Sequence, residues 1–140
     1  MINIHRFTGQ PNSFNWENVK AKEYPDGPAK SAAGMVILGN DDGAPHFAFR
    51  YFCVQPGGYS ARDDFHFHEH GVMILHGRAI VHVDGEEAEV GPNDVIFIPG
   101  WKKHHFTVLG DEPMGFLCII PNKDMLKNLY PEEVIHPKGC

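Results

Sequence analysis

Seven of the ten histidines in this chain fall between residues 66 and 105, interspersed with apolar residues. They are His66, His68, His70, His76, His82, His104 and His105. Histidine is the side chain that most often binds first-row transition metals at neutral pH. The densest stretch, Asp-Phe-His-Phe-His-Glu-His, runs from Asp64 to His70. This concentration predicts a metal site.

Polar and aromatic residues alternate in that stretch, as on a β-strand. Residues 64, 66, 68 and 70 would then share one face, with Phe65 and Phe67 on the other. An aspartate and three histidines make a poor core surface, because each buried imidazole needs a polar partner. A second pair, His104-His105, begins a later predicted strand. We therefore predict a metal site shared by the two segments and completed only by folding.

Strand parity separates the two histidines of the second pair. His104 shares a face with Phe106 and Val108, an apolar set that suits the interior, whereas His105 shares one with Thr107. His104 is therefore the predicted ligand. His76 and His82 are interpreted as structural histidines, one at a strand end and one beside a hairpin.

Glycine and proline divide the chain into short segments rich in Val, Ile, Phe and Tyr, which is typical of a sandwich or barrel. Predicted strands cover 33–39, 46–55, two or three segments within 64–83, 86–90, 95–99, 104–109 and 114–120. Asp84-Gly85 predicts a tight hairpin, and 104–109 with 114–120 are predicted to form another. Residues 122–129 form the predicted helix, with Asn122 as its cap, and the tail from Pro131 is predicted to be irregular.

Composition narrows the function classes. The chain has 140 residues and a net charge of −6, which argues against a nucleic-acid surface. Its apolar runs are too short to cross a bilayer, and no secretory segment is visible, so a cytoplasmic location is expected. Cys53 and Cys118 are predicted to be buried thiols, with Cys140 exposed, and the spacing gives no C-x-x-C pair.

Residues 58–108 resemble the two motifs of the cupin superfamily. The first motif, Gly-x5-His-x-His-x3,4-Glu-x6-Gly, is matched in spacing by Gly58, Asp64, His66, His70 and Gly77. The second motif is Gly-x5-Pro-x-Gly-x2-His-x3-Asn. Its spacing is matched by Asn93, Pro99, Trp101, His104 and Val108.

This chain departs from the family pattern at its proposed ligands. Asp64 stands where the first motif has histidine, and His70 stands where it has glutamate. The resemblance implies a ligand set of Asp64, His66, His70 and His104, with His68 as the alternative to Asp64. Asn93 replaces a glycine and tolerates the left-handed conformation. Trp101 replaces the second glycine of the second motif, and Gly100 beside it is expected to supply the turn.

The resemblance implies an all-β fold, a double-stranded β-helix or jelly-roll cupin barrel with a short C-terminal helix. Residues 1–140 would form one domain, with its metal-motif core at 58–108, N-terminal strands within 1–40 and the helix and tail at 122–140. A homodimer is implied, with the N-terminal strands in its interface. Ile2, Ile4, Phe7, Phe14 and Trp16 are the apolar residues there that need burial.

The implied activity is that of a metal-dependent enzyme acting on a small organic molecule, with an oxygenase such as a dioxygenase favoured. A decarboxylase, isomerase or lyase, or a non-catalytic binding or sensor protein, is the alternative. The metal would be one divalent ion among Fe, Mn, Ni, Co, Cu and Zn. Candidate catalytic residues are Tyr59, Arg62 and Glu69. Phe65, Phe67, Val72, Ile74, Phe97 and Phe106 are candidates for the cavity wall, and neither nucleic acid nor membrane is expected as a partner.

Overall fold

A computed structural model describes residues 2–61 and 64–136. Nine strands account for most of the ordered elements: β1 (Ala21–Tyr24), β2 (Lys30–Leu38), β3 (Phe47–Tyr59), β4 (His70–His76), β5 (Arg78–Val83), β6 (Glu86–Val90), β7 (Val95–Ile98), β8 (His104–Leu109) and β9 (Met114–Pro121). A 3-10 turn (Asn40–Asp42) and two short helices, α1 (Lys123–Leu129) and α2 (Glu132–Ile135), complete them.

The strands pair antiparallel in a sheet that curls round on itself. One side runs in the order β1-β2-β3-β9-β4-β7, and the other runs β6-β5-β8. The two sides join where the end of β3 pairs with β8, at Tyr59 and Thr107. This arrangement confirms the predicted all-β cupin barrel with a helical C-terminal segment.

The predicted hairpin between β8 and β9 is wrong. β8 pairs with β5 and β3, whereas β9 pairs with β3 and β4. The chain crosses between the two sides at Gly110, so that Phe106 and Phe116 stack across the core with ring centroids 4.8 Å apart. The Asp84-Gly85 hairpin is confirmed, and both residues have positive φ, of 52° and 88°.

The predicted strand through residues 64–69 is also wrong. Asp64 forms an isolated bridge to His104, and regular pairing of β4 starts only at His70. The intervening segment is held by aromatic packing, because Phe65 and Phe67 both lie against the Trp101 ring. The backbone N–H of Trp101 also donates to the carbonyl oxygen of His66 at 2.8 Å.

Apolar side chains from both sides fill the barrel. Thirteen buried residues form this core: Ala32, Val54, Val72, Ile74, Ala79, Val81, Val90, Ile98, Phe106, Met114, Phe116, Cys118 and Ile120. A smaller cluster of Ile37, Tyr51 and Cys53 lies outside it and is partly covered by Phe14 and Trp16. Cys53 and Cys118 are buried as predicted, and Cys140 lies outside the described residues.

The N-terminal aromatic residues have a partner within the chain. Phe14 packs on Tyr51 and on His76, with ring centroids 5.9 and 4.8 Å apart. Ile2 and Phe7 stay exposed, at 86% and 53%. The involvement of residues 1–40 in a dimer interface stays a prediction.

The C-terminal helix begins where the cap predicts. The Asn122 side chain accepts hydrogen bonds from the backbone N–H groups of Asp124 and Met125, at 2.9 and 3.3 Å. The predicted irregular tail is corrected by α2, whose Ile135 is buried. Within residues 2–61 and 64–136, no helix has the length and apolar character needed to span a membrane.

Candidate metal centre

Four side chains converge at one end of the barrel: Asp64, His66, His70 and His104. One potential ligand atom from each lies within 4.8 Å of the others. The Nε2 atom of His70 is 2.8 Å from that of His66 and 3.2 Å from that of His104. The Asp64 Oδ2 atom lies 3.3 Å from His66 Nε2 and 3.8 Å from His104 Nε2. The sequence predicted that histidines from two separate segments would meet after folding. In the structure the side chains of His66, His70 and His104 lie together in this way.

Three elements position the group. His70 and His104 are the first residues of β4 and β8, and both are buried. The Asp64–His104 bridge consists of two backbone hydrogen bonds of 3.1 and 3.0 Å. His66 lies in the irregular segment between that bridge and β4. The group therefore depends on long-range pairing rather than on the single strand face that alternation predicts.

The outer nitrogen of each histidine has a partner that fixes the direction of the ring. The Nδ1 atoms of His66 and His104 each lie 2.7 Å from a backbone carbonyl oxygen, of His68 and Lys102 respectively. A carbonyl oxygen can only accept, so Nδ1 carries the proton and the Nε2 lone pair faces the group. The Nδ1 atom of His70 faces the Cys118 Sγ atom at 2.9 Å. Outer partners of this kind orient histidine ligands in metal sites.

The geometry of the four side chains fits a transition-metal ion. Nitrogen and oxygen ligands about 2.1 Å from an ion, at right angles to each other, are about 3.0 Å apart. The contacts of 2.8, 3.2 and 3.3 Å lie close to that spacing. Inward lone pairs on His66 and His104 beside a carboxylate also repel one another unless positive charge lies between them. Three His and one Asp could therefore hold one divalent ion.

Burial keeps the imidazoles of His70 and His104 available as neutral ligands. Burial lowers the pKa of His70 to about 2, aided by the neighbouring His104 and His66. Burial likewise lowers the pKa of His104, against the opposing effects of its Lys102 carbonyl partner and Asp64. Burial alone would raise the pKa of Asp64, but its 3.3 Å contact with His66 outweighs this effect, and the pKa lies below its ordinary value. A charged carboxylate beside neutral imidazoles suits metal binding.

Asp64 belongs to the four-residue group, whereas its predicted alternative, His68, does not. His68 stacks on His66, with ring centroids 3.8 Å apart and planes 7° apart, and is not part of the four-residue group. His105 lies on the other face of β8, where it stacks on His82 at 4.1 Å. His76 is buried elsewhere and contacts the Tyr51 hydroxyl at 2.6 Å.

Of the three predicted catalytic residues, the two that the structure describes lie outside the four-residue group. Glu69 is exposed, and the Tyr59 hydroxyl donates to the carbonyl oxygen of Gly27 at 3.1 Å. Arg62 lies outside the described residues.

The sequence analysis missed Arg50 and the role of Cys118. Register places them opposite each other on β3 and β9, and an Arg50 Nη2 atom contacts the Cys118 Sγ atom at 3.4 Å. The sequence does contain a signal for Arg50, because it is the one charged residue within the apolar run Phe-Ala-Phe-Arg-Tyr-Phe.

Two cavities meet at the group. The inner one has a volume of about 160 Å³ and apolar walls that include Val72 and Phe106, as predicted. Phe67 lines the outer one, of about 430 Å³. Arg50, Asp64 and His70 line both. The remaining predicted wall residues lie elsewhere: Phe65 and Phe97 are 42% and 63% exposed, and Ile74 is buried in the core.

The two substituted glycine positions behave differently. Asn93 adopts a positive φ of 72°, as expected of an asparagine in place of glycine. At the second position Trp101 itself takes the positive φ, of 58°, so the expectation that Gly100 supplies the turn is wrong. Gly100 instead permits close packing, because a Cβ atom there would lie 2.2 Å from the carbonyl oxygen of Phe67.

Residues 50–120 match the cupin domain family, and the chain belongs to it. Over 123 residues it is 37% identical to a 1-methylthio-D-xylulose 5-phosphate methylsulfurylase of Rhodospirillum rubrum, covering 86% of this chain and 76% of that protein. A crystal structure of a cupin-2 domain protein from the same organism superposes with a TM-score of 0.72 at 36% identity, covering 82% and 77% of the two chains. The polyketide cyclase RemF of Streptomyces resistomycificus superposes with a TM-score of 0.70 at 29% identity, covering 86% and 79%.

Proposed function

We propose that this cupin is a metal-dependent enzyme that acts on a small organic molecule by Lewis-acid catalysis. The observation that carries the proposal is the convergence of three histidine Nε2 atoms and one aspartate oxygen within 4.8 Å of one another. Three imidazoles and one carboxylate leave positions open for a substrate on a transition-metal ion. A divalent ion bound there would polarise an oxygen atom of the substrate.

The protein's own groups supply position and environment. His66, His70 and His104 would hold the ion, with their rings fixed by their outer partners. The Asp64 side chain is 41% exposed and would complete the ligand set. The apolar walls of the inner cavity keep water from the reacting end of a substrate. Arg50 lines both cavities and can orient a negatively charged substrate.

The relatives favour chemistry without oxygen insertion. One is named a methylsulfurylase of a phosphorylated sugar and another a polyketide cyclase, and neither name denotes an oxygenation. A lyase or isomerase of a small oxygenated substrate is therefore our first candidate, and the oxygenase expected from the sequence stays a prediction.

Turnover with and without dioxygen tests the proposal. We would assay the metal-loaded protein on 1-methylthio-D-xylulose 5-phosphate, D-xylulose 5-phosphate and D-ribulose 5-phosphate, under air and under argon. Equal turnover in both atmospheres, lost in His66→Ala and kept in the matched control His105→Ala, is the expected result. A strict requirement for dioxygen would instead identify an oxygenase. Failure of a metal-loaded protein to turn over any substrate would favour a binding protein.

A further inference from the structure

The outer cavity extends from the candidate metal centre to the C-terminal helices. His68 and His70 line it on one side, and Lys123, Leu126 and Lys127 of α1 line it on the other. Its volume of about 430 Å³ falls within the range of small-ligand sites. Because it shares wall residues with the inner cavity, one ligand can occupy both.

The charge of this cavity runs against that of the whole chain. The chain carries 18 acidic and 12 basic residues. Among the described wall residues, however, Arg50, Lys123 and Lys127 are cationic, and Asp64 is the sole carboxylate. That carboxylate belongs to the metal group.

Arg50 has hydrogen-bonding capacity that the described residues do not use. Its Nε atom is buried and has no hydrogen-bond partner within residues 2–61 and 64–136. One Nη atom donates to the Cys118 sulfur, a weak acceptor, and the guanidinium lies 5.2 Å from the Phe52 ring centroid. Arg50 lines both cavities, and an anion bound there can accept from the guanidinium N–H groups that face it. Arginine binds phosphate and carboxylate groups through paired N–H donors.

We infer that the outer cavity binds the phosphate group of a phosphomonoester substrate, through Arg50, Lys123 and Lys127, while the reacting end of that substrate lies at the metal centre. The inference rests on the proposed function and names its substrate class. Three cations match a dianionic phosphate better than a single carboxylate charge. The relative that acts on a xylulose 5-phosphate derivative is consistent with this choice.

Phosphate binding by charge variants tests the subsite. The probe is inorganic phosphate, titrated calorimetrically into the full chain with metal bound and again after chelation of the metal. Lys123→Ala/Lys127→Ala is compared with Lys30→Ala/Lys103→Ala, which removes two exposed lysines outside the cavity wall. We expect affinity to fall at least tenfold in the first pair and to change less than twofold in the second, in both metal states.

Three results would overturn the inference. They are equal phosphate affinity in both lysine pairs, binding that disappears with the metal and ignores the lysines, and tighter binding of acetate than of phosphate. Metal content and turnover are measured on the same samples. Phosphate binding without turnover would leave the subsite standing and remove the proposed function. Turnover of an uncharged substrate that inorganic phosphate does not inhibit would support the proposed function and remove the phosphate subsite.

Discussion

The Nδ1 atom of His70 lies 2.9 Å from the Sγ atom of Cys118, on the neighbouring strand β9. Both residues are buried, at 6% and 1% exposure. The Cys118 thiol therefore fixes the orientation of the His70 ring through Nδ1, while the Nε2 atom of the same ring faces His66 and His104. This contact joins the barrel core to the candidate metal centre.

Removal of that contact is expected to weaken metal binding. In Cys118→Ala the His70 ring loses its outer partner, and loss of such a partner typically costs about 10-fold to 100-fold in metal affinity. Affinity is measured by chelator competition with Zn²⁺. The matched control is Cys53→Ala, which removes a second buried thiol, in the smaller cluster with Ile37 and Tyr51. Equal affinities in the two variants would show that Cys118 does not position His70.

The choice between Asp64 and His68 as a ligand is open to direct substitution. In His68→Phe the stacking on His66 is retained, and so is the backbone carbonyl that accepts from His66 Nδ1, so metal affinity is expected to change by less than about threefold. In Asp64→Ala the carboxylate is lost, and affinity is expected to fall by about tenfold or more. Both affinities are measured by the same competition assay. The reverse order would assign the ligand role to His68.

Gly115 is expected to tolerate no side chain. A Cβ atom there would lie 2.0 Å from the Nε2 atom of His76, which is fixed by Tyr51 and Pro113. We expect Gly115→Ala to lower the free energy of unfolding by about 2 kcal/mol, as overpacking of cores does. The control is Gly71→Ala, also in a paired strand, where a Cβ atom would meet nothing within 4 Å. Urea unfolding measures both, and similar stabilities would contradict the packing argument.

Acid is expected to destabilise the protein through His76. Burial lowers the pKa of this residue, against its Pro113 carbonyl partner. Below about pH 6.5, His76 is protonated in the unfolded chain but stays neutral in the folded chain. The contribution of His76 to the free energy of unfolding is therefore fully present above that pH and declines as pH falls toward the folded pKa.

Urea unfolding at pH 7.5 and pH 5.5 measures the effect, with metal removed. His76→Leu leaves the Tyr51 hydroxyl without this partner, so the variant should be less stable at pH 7.5 by about 2 kcal/mol. It should lose less stability than the parent on acidification. An equal loss in both proteins would exclude His76 as a source of the pH dependence.

Local patterns predicted much of this structure. The Asp84-Gly85 hairpin and the Asn122 cap depend on backbone preferences of neighbouring residues, and both appear as predicted. The face assignment of His104 followed from strand parity and from the apolar character of Phe106, and both side chains are buried.

Features set by long-range pairing were not predictable in the same way. Alternation placed residues 64–69 on a strand, but aromatic packing on Trp101 bends that segment. Sequence proximity suggested a β8–β9 hairpin, whereas the barrel separates the two strands. The contact of Arg50 with Cys118 depends on the register of β3 against β9, which no local pattern encodes.

Metal content is the most direct test of the central claim that His66, His70 and His104 share one ion. The protein is purified without added metal and analysed by inductively coupled plasma mass spectrometry, beside His104→Ala and His105→Ala. We predict about one equivalent of a first-row transition metal per chain in the parent and in His105→Ala, and less than about 0.1 in His104→Ala. Folded parent protein that contains no such metal, and takes up none on addition, would contradict the claim.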